Sequence, residues 1–310
     1  MANREFYDLI IVGGGPGGLS AGIYALRASM RTVLIESAAP GGQIMKSDRV
    51  ENYPGFKEIS GYELSQCFLE HAQSYRMEML SQEAERVEPG LQHHTVWLGN
   101  GDALKTHTVI LATGGTPRKL NIPGEETYYG RGVSYCAVCD GFFFRNKTVV
   151  VVGGGDTAVE ESLYLAKLAE KVFLVHRRDE LRASMILQER LTCERNVEIL
   201  WNSVMTAIRA TDNEVSAVDL ENTRTGETSR LSADGVFIFI GFDPNNQLVP
   251  AGTRMNGDGY VVTDEKCETN NPGIFAIGDL REKYARQIVV AAADGCTAAL
   301  AAARYVETRR

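Results

Sequence analysis

One stretch of the chain occurs twice, and this internal repeat constrains the fold more than any other feature. Residues 7–36 read YDLIIVGGGPGGLSAGIYALRASMRTVLIE, and residues 147–176 read KTVVVVGGGDTAVEESLYLAKLAEKVFLVH. Each copy begins with a β-branched apolar run typical of a buried parallel strand, passes through a glycine cluster, and continues with apolar residues at helical spacing. A second short apolar run, Thr32–Ile35 or Val172–Val175, closes each copy. The repeat predicts two βαβ units and therefore an α/β fold.

The glycines of each copy form a dinucleotide-binding fingerprint. In this motif the first glycine permits a tight turn, the second lets the backbone approach a pyrophosphate, and the third position allows close helix–strand packing. The pyrophosphate lies on free N–H groups at the helix N-terminus. Two ordinary glycine turns are the alternative, which the placement of both copies between a strand and a helix disfavours. The motif positions are Gly13, Gly15 and Gly18 in the first copy, and Gly153, Gly155 and Ala158 in the second.

The residue that ends the second strand distinguishes the two sites. In the first copy it is Glu36, whose carboxylate can accept hydrogen bonds from the ribose 2′-OH of FAD or NAD. In the second copy it is His176, followed by Arg177, Arg178 and Arg182. Guanidinium groups suit a dianionic phosphate, so this site is predicted to bind NADPH. A solvated basic patch is the alternative interpretation.

Two of the six cysteines, Cys136 and Cys139, form a C-x-x-C pair. Four interpretations are open: half of a zinc site, two free thiols, a structural disulfide, or a catalytic dithiol–disulfide. A zinc site needs four ligands at characteristic spacing, and neither a second C-x-x-C nor the five histidines provide them. The two nucleotide sites supply an electron source, which favours the catalytic interpretation. Asp140 follows the pair and either protonates a leaving thiolate or caps a helix.

Charge and hydropathy exclude several classes of protein. The formal net charge of −8 gives no global basic field, so we expect no nucleic-acid or membrane partner. We find no unbroken apolar run near the roughly 20 residues that span a bilayer. The N-terminus lacks the features of a signal peptide, and a cytoplasmic location is expected.

Domain boundaries are predicted at two segments rich in Gly, Pro and Asn. These are residues 112–126 and residues 241–252, which enclose the second copy of the repeat. At about 150 residues per domain, a chain of 310 residues is long enough for two domains. Between the copies, Val87–Glu88, His94–Leu98 and Thr106–Leu111 have the pattern of a β-meander.

The order of motifs along the chain resembles the low-molecular-weight thioredoxin reductases. The matching segments are Gly13–Gly18, Gly41–Gln43, Glu51–Gly55, Cys136–Asp140, Gly153–Ala158, His176–Arg178 and Gly278–Asp279. The resemblance implies a homodimeric flavoprotein whose FAD domain is interrupted by an inserted NADPH domain, each a Rossmann-like domain of three-layer ββα/βαβ type. The implied bounds are 1–117 and 245–310 for the FAD domain and 118–244 for the NADPH domain. One departure is Phe242, where some members carry a histidine once proposed as a base.

The resemblance also assigns individual residues. Asp140 becomes the acid and Cys139 the sulfur nearest the flavin, while Asp279 binds the ribityl chain and Arg286 and Gln287 lie beside the ring. The FAD residues are Gly13, Gly15, Pro16, Gly18, Glu36, Gly42, Gln43, Asn52, Ala112, Thr113, Gly278, Asp279, Arg286 and Gln287. The NADPH residues are Gly153, Gly155, Asp156, Thr157, Ala158, His176, Arg177, Arg178 and Arg182.

These expectations combine into one electron path, from NADPH to FAD to the Cys136–Cys139 disulfide to the disulfide of thioredoxin. The C-x-x-C pair and the second nucleotide site occur on the same inserted segment, so a rotation of that domain is expected between two states. Two alternatives remain: a reductase of a glutaredoxin-like or peroxidase-linked partner, and a non-catalytic flavin redox sensor.

Overall fold

The computed structural model describes residues 6–47 and 49–309. The chain forms two compact units. The first consists of the chain up to Thr116 together with Asp243 onward, and the second of Pro117–Phe242.

Strands and helices alternate along much of the chain, as the repeat predicts. The strands are β1 (Phe6–Val12), β2 (Thr32–Ile35), β3 (Glu78–Leu80), β4 (Ala84–Glu88), β5 (His94–Leu98), β6 (Ala103–Leu111), β7 (Gly115–Pro117), β8 (Val133–Ser134), β9 (Thr148–Gly153), β10 (Lys171–Val175), β11 (Val197–Leu200), β12 (Ser203–Thr211), β13 (Glu214–Asn222), β14 (Thr228–Ser232), β15 (Gly235–Phe239), β16 (Phe242–Pro244) and β17 (Ile274–Ala276). The α-helices are α1 (Pro16–Arg27), α2 (Gly61–Ser74), α3 (Ala137–Asp140), α4 (Asp156–Ala166), α5 (Met185–Cys193) and α6 (Ile288–Glu307). Short 3-10 helices cover Gly42–Lys46, Gly141–Phe144 and Gly278–Leu280.

The first unit is built on a mixed sheet in the order β3-β2-β1-β6-β5-β4, with β17 also paired to β6. Strands β3, β2, β1, β6 and β17 are parallel, while β4, β5 and β6 form the antiparallel meander that the sequence predicts. Alternate residues of β1 enter two separate cores. Leu9 and Ile11 pack with α1 and α6, whereas Ile10 and Val12 pack with the meander, which gives three layers.

The second unit repeats this plan. Its parallel sheet has the order β11-β10-β9-β15-β8, and β12, β13 and β14 form a separate antiparallel sheet. Val149 and Val151 of β9 pack toward α4 and α5, while Val150 and Val152 pack toward the antiparallel sheet. The predicted α/β class with two βαβ units is confirmed.

Helix α6 is long and apolar enough to cross a bilayer by length and composition alone. One face of it, formed by Ala298, Ala299 and Ala302, is fully buried in the core of the first unit, while 22% of its apolar window is buried in all. A search for an unbroken apolar run does not find this helix, because Asp294 interrupts the run.

Candidate active site

Cys136 and Cys139 are joined as a disulfide, with their Cα atoms 5.3 Å apart. Cys136 lies just before the four-residue helix α3, and its sulfur accepts a hydrogen bond of 3.2 Å from the backbone N–H of Cys139. The turn of α3 therefore holds the two cysteines at a separation that a disulfide requires. A disulfide in this setting can be opened by a thiolate or by two electrons.

A largely buried carboxyl group directly follows this disulfide in the chain. Asp140 ends α3, and its Oδ2 accepts a hydrogen bond of 2.5 Å from the hydroxyl of Ser134. Burial raises the pKa of Asp140 to about 6, although the bond from Ser134 opposes the rise. The Asp140 side chain makes no cap bond to the 3-10 helix Gly141–Phe144, so the capping interpretation has no supporting contact. A carboxyl group with this pKa can hold or release a proton near neutral pH.

The first glycine turn leaves open space where the fingerprint requires it. A Cβ atom on Gly18 would overlap the carbonyl oxygen of Gly13, whereas a Cβ on Gly15 would meet nothing closer than the Cα of Gly42, at 4.0 Å. Gly15 precedes α1 without a side-chain cap bond, and Pro16 occupies the first helical position. The helix N-terminus therefore presents backbone N–H groups to an open cradle.

Glu36 closes this cradle at the end of β2. Its Oε2 accepts a hydrogen bond of 2.7 Å from the backbone N–H of Gly14, and its Oε1 accepts one of 2.9 Å from Ala38. The two bonds fix the direction of the carboxylate. Each oxygen keeps a further lone pair for another donor.

The other predicted FAD residues all belong to the first unit. The side-chain amide of Asn52 donates to Oε1 of Gln287 at 3.2 Å, although 235 residues separate them. The hydroxyl of Thr113 donates to the carbonyl of Asn245 at 2.7 Å, and Ala112 lies directly against Gly13. Gly42 and Gln43 begin a 3-10 helix.

A second turn of the first unit carries Gly278 and Asp279. Gly278 has a φ of 66°, a left-handed conformation that glycine adopts without strain. Burial raises the pKa of the Asp279 carboxyl, against the opposing charges of Lys283 and Arg286. The guanidinium of Arg286 lies over the ring of Tyr260, 4.5 Å from its centroid.

The second glycine turn has the same construction. A Cβ on Gly155 would meet nothing within 4 Å, and Gly155 precedes α4 without a side-chain cap bond. A Cβ on Gly153 would lie 2.5 Å from the Cβ of Ala158, which explains the need for small residues at both positions. Asp156, followed by Thr157 in α4, accepts a hydrogen bond of 2.7 Å from the backbone N–H of Ser184.

His176 is buried, and both of its ring nitrogens face backbone carbonyls. Nδ1 lies 2.7 Å from the oxygen of Gly153, and Nε2 lies 2.8 Å from the oxygen of Glu180. The imidazole thus ties the glycine turn to the loop that follows β10. This loop carries the exposed residues Arg177, Arg178 and Arg182.

Known proteins are similar to this chain over nearly its whole length. Residues 7–295 match the model of the pyridine nucleotide-disulphide oxidoreductase family. A thioredoxin reductase from Bacillus subtilis is 46% identical over 99% of this chain and 97% of its own length. One from Listeria innocua is also 46% identical, over 99% and 96%. The crystal structure of thioredoxin reductase from Streptococcus pyogenes matches with a TM-score of 0.96 and 42% identity, covering 99% of this chain and 100% of that one.

The chain belongs to the thioredoxin reductase family. The resemblance stated from the motifs is thereby confirmed.

The two cradles fit the dinucleotides of a thioredoxin reductase. Each has an uncapped helix N-terminus and a glycine whose missing Cβ leaves room for a pyrophosphate. The first cradle ends in a carboxylate, which suits a ribose 2′-OH. The second ends in exposed guanidinium groups, which suit a 2′-phosphate.

Sequence reasoning missed several residues around these thioredoxin reductase sites. Ser134 belongs to no motif, yet it contacts Asp140. Glu161 of α4 has an Oε2 that is buried without a hydrogen-bond partner among residues 6–47 and 49–309, and burial raises the pKa of its carboxyl. For buried carboxyl groups of this kind the sequence offers one signal, an acidic residue within an apolar run. The clearest case is Asp294 of α6.

Proposed function

We propose that this chain is an NADPH-dependent flavoprotein that reduces the disulfide of thioredoxin through its own Cys136–Cys139 pair. The observation that carries the proposal is the disulfide itself, followed in the chain by the largely buried carboxyl of Asp140. A disulfide with only a structural role needs no proton donor as its neighbour in the chain. Two dinucleotide cradles in the same chain supply the electron source.

We propose that the first unit binds FAD and the second binds NADPH. In the first, the N–H groups at the start of α1 face the pyrophosphate, Glu36 receives the adenosine ribose, and Asp279 receives the ribityl chain. In the second, the start of α4 faces the pyrophosphate, while Arg177 and Arg178 receive the 2′-phosphate. His176 orients the arginine loop through its two carbonyl contacts.

When bound, FAD accepts a hydride from NADPH and passes two electrons to the disulfide. The S–S bond between Cys136 and Cys139 breaks, and Asp140 supplies a proton to the departing thiolate. One thiolate then attacks the disulfide of thioredoxin and forms a mixed disulfide. The other cysteine, a thiol after this proton transfer, returns its proton to the Asp140 carboxylate and attacks the mixed disulfide, which restores the Cys136–Cys139 bond and releases both thioredoxin sulfurs as thiolates that take up protons from water.

We further propose that the second unit rotates during turnover. The C-x-x-C pair and the arginine loop belong to the same unit, and both must serve one flavin. The two strands that enter and leave this unit, β7 and β16, pair with each other and form a two-stranded connection. A pair of connections close together suits a hinge.

We also propose a homodimer located in the cytoplasm.

Steady-state NADPH oxidation tests the proposed function. The purified protein should oxidise NADPH continuously when a thioredoxin from a bacterial relative is present, and slowly without it. Glutaredoxin and a peroxidase-linked disulfide protein serve as alternative substrates, and a redox sensor would turn over with none of them. Faster turnover with either alternative would contradict thioredoxin as the partner.

A further inference from the structure

Asp294 is a buried acidic residue in the middle of the apolar helix α6. Its exposed fraction is 8%. Burying a carboxylate is costly unless charged partners and hydrogen bonds compensate it. Two cations do so here. The Nη1 atom of Arg281 lies 3.0 Å from Oδ1, and the Nζ atom of Lys283 lies 2.6 Å from Oδ2.

Both cations are themselves shielded from solvent. The side chain of Lys283 is 6% exposed and that of Arg281 is 18% exposed. Arg281 also donates from Nε to the hydroxyl of Thr263 at 2.8 Å. Such a desolvated, hydrogen-bonded cluster is far more costly to disrupt than a surface ion pair.

A fourth contact connects this cluster to the proposed flavin site. The backbone N–H of Gly278 donates to Oδ2 of Asp294 at 3.1 Å. Gly278 immediately precedes Asp279, while Arg281 and Lys283 follow it within a few residues. One carboxylate therefore holds the turn from both sides, by the amide before Asp279 and by the two cations after it.

The charge of Lys283 also acts on Asp279. Burial raises the pKa of the Asp279 carboxyl, and Lys283 is the first of the two cations that oppose this rise. Lys283 therefore bonds to the carboxylate of Asp294, and its charge also lowers the pKa of the Asp279 carboxyl. Replacing Asp294 therefore removes a bonding partner of the Lys283 ammonium as well as a contact to the backbone of the turn.

We propose that Asp294 is a positioning residue for the flavin: it fixes the Gly278–Asp279 turn and thereby slows the release of FAD. This inference rests on the proposed function, in which Asp279 binds the ribityl chain. Asp294 acts through the turn and through Lys283. Losing its charged hydrogen bonds should loosen FAD by about tenfold or more.

A matched control exists at the opposite end of the same sheet. Asp8 is 7% exposed, and its Oδ2 accepts a hydrogen bond of 2.9 Å from the backbone N–H of Arg31. It lies near the start of β1, whereas the glycine turn follows the end of β1. Asp8→Asn and Asp294→Asn thus each remove one buried carboxylate that holds a backbone amide of the first unit.

The experiment measures FAD release from the holoenzyme after dilution, by the gain in flavin fluorescence, alongside the Tm. Asp294→Asn should release FAD at least about tenfold faster than the parent. Asp8→Asn should release it within about twofold of the parent rate, even where the Tm falls as much. Equal release from the parent and Asp294→Asn, or equal acceleration in both variants, overturns the inference.

Variants at Lys283 provide a second test, which can be carried out even if Asp294→Asn does not fold. Lys283→Met should accelerate FAD release, and Lys283→Arg should restore the parent rate because it keeps the charge. Parent-like release from Lys283→Met, or no rescue by Lys283→Arg, contradicts the proposal. A parent protein that binds no FAD contradicts the proposed function instead, so the two failures are distinguishable.

Discussion

The hydroxyl of Ser134 donates a 2.5 Å hydrogen bond to the carboxyl of Asp140, the residue that follows Cys139 of the Cys136–Cys139 disulfide. Burial and this bond act on Asp140 in opposite directions. Burial dominates and raises the pKa to about 6. At a pH where an ordinary aspartate has lost its proton, this carboxyl still keeps it in part, as the proposed role of Asp140 toward a departing thiolate requires.

The stability of the protein should depend on this carboxyl group. The pKa of Asp140 is higher in the folded chain than its value of about 3.9 in the unfolded chain, so the folded state binds the proton more tightly. Stability should consequently fall as pH rises from about 4 through about 6 and stay lower above that range, by about 3 kcal/mol at about 1.4 kcal/mol per pKa unit. Asp140→Asn removes this loss. Its Tm relative to the parent should rise across the same pH range.

An exposed carboxylate of the same unit provides the control. Asp212 lies in a turn with a φ of 53°, a conformation that asparagine tolerates well, so Asp212→Asn changes charge without a burial cost. Because its carboxylate is exposed, the Tm of this variant relative to the parent should change less across the same pH range than that of Asp140→Asn. A profile for Asp140→Asn no steeper than that for Asp212→Asn would contradict the raised pKa of Asp140.

Removing the Ser134 hydroxyl should move the titration of Asp140. The bond from Ser134 lowers the pKa of Asp140, so Ser134→Ala should raise it and shift the pH profile of thioredoxin reduction toward higher pH. Ser203→Ala is the control, because it removes a hydroxyl of the same unit that donates to the carbonyl of Trp201. The pH dependence of kcat measures the shift. An unchanged profile in Ser134→Ala would separate Asp140 from the rate-limiting proton transfer.

Glu36 should contribute to the retention of FAD. Glu36→Ala removes the acceptor for the ribose and for the amides of Gly14 and Ala38, and each charged hydrogen bond contributes roughly 1.5–3 kcal/mol. The variant should purify partly colourless, as judged by flavin absorbance per protein after dialysis. Glu78→Gln, which replaces a carboxylate bonded to the hydroxyl of Tyr7, should stay fully yellow. Full flavin occupancy in Glu36→Ala would contradict the assigned role.

Arg177 and Arg178 should determine the choice of coenzyme. Replacing both by glutamine should raise the KM for NADPH by about 100-fold, because two charge-assisted contacts to the 2′-phosphate are lost. The KM for NADH should hardly change. Added salt should weaken NADPH binding more in the parent than in the variant.

The control for this pair removes the same charge elsewhere on the second unit. Arg190 and Arg195 are exposed and lie in or just after α5. Their double replacement by glutamine should leave the preference for NADPH intact. If the Arg177/Arg178 variant also keeps that preference, the basic cluster is a solvated surface.

Local pattern explains why much of the fold was predictable. The strand, glycine turn and helix of each repeat are specified within about 30 residues, so periodicity and glycine spacing locate them. The contact between Asn52 and Gln287 arises from the tertiary fold across 235 residues, and only the family resemblance placed both near one ligand. His176 illustrates the limit of motif reasoning. Its position was predicted, but its two carbonyl contacts depend on where the following loop folds.

In the proposed function, electrons from NADPH reach the Cys136–Cys139 disulfide through a bound flavin. Anaerobic titration with NADPH, followed at the visible flavin band, tests it most directly. Each molecule of the parent should take up about two pairs of electrons, one pair for the flavin and one for the disulfide. Cys136→Ser and Cys139→Ser should each take up about one pair and fail to reduce thioredoxin, while still binding FAD. Equal uptake by the parent and both variants, with thioredoxin still reduced, would contradict the account.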